Sequence, residues 1–94
     1  MPKRIQDLPE EYLSNRRALA RAIGARMRLR RSELDLTQER LRARMELAQV
    51  FISRTQYSRI ENGDVLPNAA ELIALQAILD IPFDWLLLGQ KAEP

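Results

Sequence analysis

The sequence predicts an all-α fold, a single bundle of five short helices. Three observations carry that expectation. Apolar residues recur at three- and four-residue intervals, and no alternating run of the kind a half-buried strand needs is present. Polar caps stand just ahead of the periodic stretches, at Asp7, Thr37, Ser53 and Asn68. A chain of 94 residues has room for one modest core.

Residues 1–6 read as a loose tail. The first helix starts around Asp7-Leu8-Pro9-Glu10, with Asp7 as N-cap, Pro9 in the first turn and Glu10 at the third position. Leu8, Tyr12, Leu19, Ile23, Met27 and Leu34 follow at helical spacing. Ser14 and Asn15 cap better than they propagate, which leaves two readings: one helix over residues 8–34, or two that meet there. Thr37 begins the second helix, with Leu36 and Leu41 as a hydrophobic staple around it. Gln38, Leu41 and Met45 share one side of it, and Arg40 and Arg44 turn outward.

The third helix, residues 53–62, has its start, its buried side and its stop written in. Ser53 and Gln56 form a capping box, Ile52 and Tyr57 a staple, and Gly63 a left-handed end. After the loop at residues 64–67, Asn68 and Glu71 cap a fourth helix that runs to Leu79. Leu72, Ile73, Leu75, Ile78 and Leu79 make it the most apolar helix, hence central. Asp80-Ile81-Pro82 breaks it, residues 83–89 form a last short helix, and residues 90–94 are a tail.

Composition excludes several function classes. The absence of Cys and His removes disulfides, thiolate metal sites and the commonest general base. The carboxylates fall in no paired metal or acid–base pattern, and the 3 Gly are too scattered to cradle a phosphate. No enzyme, catalytic residue, metal or cofactor is therefore expected. No apolar run reaches membrane-spanning length, and the charged N-terminus with Pro2 and Pro9 does not read as a signal peptide, so the expected location is the cytoplasm, with no membrane partner. The net charge of +2 conceals a polarity: residues 1–59 hold 14 basic and 7 acidic side chains, residues 60–94 hold 1 and 6. Of the 15 basic residues 13 are Arg, which favours bidentate contacts with phosphate and guanine. The plainer account is a solvated helix surface, with Glu33, Glu39 and Glu46 as ion-pair partners.

At about 100° per residue, Tyr57 and Ile60 lie on one side of the third helix. Arg54, Thr55, Ser58, Arg59 and Asn62 fan over the other, and none is acidic. A helix anchored by one face that offers donors and cations on the other suits the major groove of DNA.

Five pieces then occur in order: Ile23-Gly24-Ala25-Arg26-Met27-Arg28, Leu36-Thr37-Gln38-Glu39, Ser53-Arg54 with Ser58-Arg59-Ile60-Glu61-Asn62-Gly63, Pro67 with Leu72-Ile73-Ala74-Leu75, and Phe83-Asp84-Trp85-Leu86-Leu87-Leu88-Gly89. Over residues 19–89 this resembles the helix-turn-helix family of phage Cro and C1 repressors, the XRE family. The resemblance implies a five-helix lambda-repressor-like domain at residues 18–89. It would follow an N-terminal tail and helical extension at residues 1–17 and precede the tail at residues 90–94. Its second and third helices form the helix-turn-helix, and the third enters the major groove. It further implies that Arg54, Thr55 and Arg59 read base edges. Gln38, Ser53, Gln56, Ser58 and Asn62 contact phosphate, with Gln38 also placed to touch the third helix. Arg31 and Glu61 tie the first helix to the third. For Gln56, at the edge of the polar arc, capping competes with the phosphate role. The implied function is a sequence-specific regulator of transcription that binds double-stranded DNA, a repressor acting as a homodimer on a pseudo-palindromic operator. The alternative is an antitoxin-like module that neutralises a toxin partner, with or without DNA binding, through the acidic, apolar last third of the chain.

The chain departs from the family pattern in several places. A helix-turn-helix turn is usually ~3–4 residues. Here, with the second helix ending near Met45, the third starts about one helical turn late. Leu47, Val50, Phe51 and Ile52 predict either a packed, extended turn or an extra turn of the second helix, and a steep stability loss in Phe51→Ala. Arg42 replaces a small residue facing the third helix: either the longer turn accommodates it or it points at phosphate. Asp35 and Asp80 stand where Gly is customary, and Arg30 where an apolar residue is. Trp85 with Phe83 reads as core or dimer seam rather than a base-stacking platform. Leu86, Leu87 and Leu88 offer a two-fold contact or simple packing on the first helix. Lys3 and Arg4 read as tail rather than as an arm on DNA, and Arg16, Arg17, Arg21 and Arg28 as a solvated face from which one or two approach phosphate.

Overall fold

A computed structural model of the protein describes residues 8–90. The expected Asp7 cap, the tail with Lys3 and Arg4, and residues 91–94 lie outside them. The described chain is all-helical: α1 (Glu10–Glu33), α2 (Gln38–Leu47), α3 (Arg54–Glu61), α4 (Ala69–Leu79) and α5 (Phe83–Leu88). None of these helices is long and apolar enough to cross a membrane.

Helix α1 is one continuous helix through Ser14 and Asn15. Glu10 and Glu11 in its first turn and Arg30 and Arg31 in its last complement the helix dipole. Pro9 occupies the cap position rather than the first turn, with no side-chain cap. Tyr12 and Leu19, expected on the apolar stripe, are exposed. Ala20, Ile23, Gly24 and Met27 form the buried face, so only the C-terminal part of the helix packs into the bundle. Gly24 costs helix stability of about 1 kcal/mol relative to Ala, and packing explains it. A Cβ there would sit 2.4 Å from the Ile60 carbonyl oxygen, because α1 and α3 meet backbone to backbone.

The polar caps form. Thr37 accepts from the Arg40 N–H at 3.1 Å and Ser53 from the Gln56 N–H at 3.0 Å. Asn68 and Glu71 make both halves of a capping box, each bond 2.8 Å. In α3 only the first half of the expected box is present. Every helix end is followed by a left-handed residue: Asp35, Gln49, Gly63, Asp80 and Gly89. Three of these are not Gly, a conformation that costs L-residues about 1–2 kcal/mol.

Helix α4 buries Ala74, Leu75 and Leu79. Its Ile73, expected in the core, is 62% exposed, because α4 packs on one side only. The fully buried side chains Tyr57, Met27, Leu41, Met45, Ile60, Leu75, Leu79 and Leu86 come from all five helices. Trp85 is half-buried against this core, and Phe83 and Leu88 are exposed.

The lengthened turn takes neither expected form in full: α2 gains two residues past Met45, and only half of the apolar residues that follow pack. Helix α2 runs on to Leu47 and ends in a Schellman motif, with Gln49 N–H donating to the Glu46 carbonyl and Val50 N–H to the Met45 carbonyl, each at 2.9 Å. Residues 50–52 then run outside any helix to the Ser53 cap. Val50 and Ile52 pack against the core. Leu47 and Phe51 do not: they are 84% and 70% exposed, so the stability loss expected for Phe51→Ala has no buried contact to rest on.

Candidate nucleic-acid interface

Helix α3 is held from below by side chains that its own sequence supplies. Tyr57 and Ile60 are fully buried, and Glu61 at the end of the same face is buried with them. A lone carboxylate buried there would be prohibitive, and this one is surrounded by donors. Arg31 grips it in a bidentate pair, Nε to Oε2 at 2.7 Å and Nη2 to Oε1 at 3.0 Å. The Tyr57 hydroxyl donates to Oε2, Gln38 Nε2 donates to Oε1 at 3.2 Å, and Arg28 Nε approaches Oε1 at 3.4 Å. Burial pushes the Glu61 carboxyl up, but the hydrogen bonds from Arg31 and Tyr57, with the Arg31 charge, outweigh it and hold it below its ordinary range. Burial, then the bond to this carboxylate, pushes the Tyr57 phenol up. The bond to Glu61 likewise raises Arg31.

The same cluster reaches the residues implicated in phosphate contact. Gln38 bridges α2 and α3: besides donating to Glu61, its Oε1 accepts from the Ser58 hydroxyl at 3.0 Å. One Nε2 hydrogen of Gln38 remains unused. Ser58 gives its only proton to Gln38, so a phosphate contact by Ser58 requires that bond to open. Asn62 accepts from Arg28 at 2.8 Å through Oδ1, and its NH2 has no partner among the described residues. The Ser53 oxygen accepts from Gln56 N–H, and its own hydrogen stays available. The Gln56 side chain is half-buried.

On the outer side Arg54, Thr55 and Arg59 are all exposed. Both guanidinium groups are without an ion pair or hydrogen bond to any described residue, as are those of Arg40 and Arg44 on α2. Thr37, Gln38, Glu39, Arg42 and Arg54 line a polar groove between α2 and the start of α3.

Several other arginines serve the fold, which sequence reasoning missed. Arg30 donates to the Leu79 carbonyl at 2.8 Å, Arg26 to the Leu86 carbonyl at 3.0 Å, and Arg31 also to the Leu36 carbonyl at 2.8 Å. The first two place a cation in the last turn of α4 and of α5, the favourable end, while the third ties the end of α1 to the residue before the Thr37 cap. Arg42 is accommodated by the turn, donating to the Ile52 carbonyl at 3.2 Å. Arg28 ties α1 to the end of α3 while its side chain stays 54% exposed. Arg17 pairs with Glu10 at 3.0 Å, an exposed contact of little energetic weight. The one available signal was Arg30 at a position where an apolar residue is customary.

A family profile described as Helix-turn-helix matches residues 27–86, from the bracing part of α1 through α2, α3 and α4 into α5. The chain belongs to the Cro/C1-type helix-turn-helix family. Comparison with curated proteins gives no match, and comparison with solved structures gives none. This Cro/C1-type protein is accordingly a DNA-binding regulator of transcription, in a family that is regulatory rather than enzymatic. Its match begins inside α1, after the exposed amino-terminal half of that helix.

Proposed function

We propose that this protein is a sequence-specific transcriptional repressor that binds a pseudo-palindromic operator as a homodimer in the cytoplasm. The observation that carries the reading is the division of α3 between a braced inner face and an outer face of exposed Arg54, Thr55 and Arg59. Those three read base edges. Gln38, Ser53, Gln56 and Asn62 hold phosphate and set the register, with Ser58 joining them only when its bond to Gln38 opens. Exposed Phe83 and Leu88 on α5 support a two-fold contact between protomers. Half-sites then lie about one helical turn, ~34 Å, apart. Repression needs no more than occupancy of a promoter. Two acids on which a toxin-binding face would draw, Glu61 and Glu71, are buried in bonds within the fold, which favours the operator reading.

The test is selection of bound sites from random duplexes at two salt concentrations, with the parent and with Arg54→Ala and Arg59→Ala. The parent should yield a two-fold symmetric site. Each variant should lose preference at one position per half-site, at a cost of ~1–3 kcal/mol. Variants that rank every operator as the parent does would remove the readout assignment. A reporter whose output rises with operator occupancy would remove the repressor role.

A further inference from the structure

The most exposed apolar material near the reading helix is in the lengthened turn. Val50 and Ile52 both pack against the core, and in an extended segment successive side chains point to opposite sides. Phe51, between them, is turned outward and is 70% exposed. The backbone on both sides of it is fixed. The Schellman bond from Val50 to Met45 fixes one side, at 2.9 Å. Arg42 fixes the other through the Ile52 carbonyl at 3.2 Å, and Ser53 caps α3 immediately after. Two residues, Ile52 and Ser53, separate Phe51 from Arg54, so their Cα atoms are at most about 11 Å apart. Helix α3, with 8 residues, is about 12 Å long, close to the width of the major groove. A helix that enters the groove by its amino-terminal end brings this ring to the groove edge.

Resting on the regulator reading above, we propose that Phe51 is a specificity-determining residue that packs on the 5-methyl group of a thymine beside the base read by Arg54. The thymine methyl is the apolar feature of the major-groove edge, and a Phe ring is a recognised partner for it. Phe51 adds discrimination that the arginines do not supply, since they address guanine and phosphate.

The experiment uses the selected duplex with each thymine replaced in turn by deoxyuridine, which lacks only that methyl. The parent should lose affinity roughly fourfold at one thymine per half-site, the value of one buried methyl group. Phe51→Ala should show no loss at that position while keeping the parent's melting temperature and its guanine preferences, and Phe51→Leu should keep part of the thymine preference. Equal deoxyuridine sensitivity in parent and Phe51→Ala overturns the proposal and leaves the regulator reading standing. So does a Phe51→Ala variant with altered oligomeric mass and an unchanged thymine profile, which would assign the ring to a protein contact. A parent that selects no site at all overturns both.

Discussion

Glu61 draws Arg31, Tyr57, Gln38 and Arg28 around one buried carboxylate, and so couples three helices at a single atom pair. Removing its charge strands Arg31, which is itself largely buried. Glu61→Gln should cost ~3–5 kcal/mol by urea denaturation, the usual cost of breaking a buried pair from one side. The pH dependence has a definite sign. The folded carboxyl titrates below its ordinary value near 4.3, so its contribution is fully present above that pH and is lost as pH falls through the lowered folded value. The parent should therefore lose stability below about pH 4 more steeply than Glu61→Gln. A variant with the same acid transition as the parent would show that the carboxylate carries no such linkage. At this scale the sequence was only partly legible. The Arg31–Glu61 pair came into view through the family resemblance, whereas Arg26, Arg30 and Arg42 gave no sign of which carbonyl each would reach. An arginine stem is long enough to reach several neighbours, and only the packed bundle selects one.

Among elements, the α1–α3 contact decides where the reading helix stands. Gly24 lets the two backbones meet, with the Ile60 and Glu61 carbonyls where a Cβ would be. Gly24→Ala gains helix propensity but must push α3 away. The net result should be a loss of ~1–3 kcal/mol by thermal or urea unfolding, as for other overpacked sites. DNA affinity should fall with it. A stabilised Gly24→Ala with unchanged binding would mean that the two helices approach less closely. Most helix starts were legible, because Thr37, Ser53 and Asn68 advertise their chemistry. The end of α2 was not. Gln49 adopts the left-handed conformation that Gly63 and Gly89 announce by their identity, and a glutamine announces nothing of the kind. From sequence the turn therefore reads as an anomaly of length with Phe51 packed, whereas Val50 and Ile52 face in and Phe51 faces out.

For the whole molecule, the composition exaggerates the charge available to DNA. Arg26, Arg28, Arg30, Arg31 and Arg42 bond within the fold, while Arg40, Arg44, Arg54 and Arg59 on α2 and α3 remain exposed without such bonds to the described residues, as do Arg16 and Arg21 on α1. A dimer doubles the four on α2 and α3. If its eight cations each neutralise a phosphate, operator affinity should fall roughly a thousandfold or more between 50 and 200 mM salt. Titrations over that range check it, and a flat response would exclude a phosphate-dominated interface. The polarity between the two parts of the chain was legible from sequence, but its allocation to folding or to binding required the three-dimensional arrangement.

The guanidinium groups along α1 that seize the carboxyl ends of its neighbours have a consequence for cooperativity. Helix α5 has 6 residues, far too few to persist alone, and Arg26 fastens it to the longest element. Its amides should therefore exchange with deuterium only in the global opening that also frees α3, while those at the start of α1 exchange early. Arg26→Met should uncouple the two, giving α5 a separate, faster opening while α3 keeps its protection. The bundle would then unfold in two stages where the parent unfolds in one.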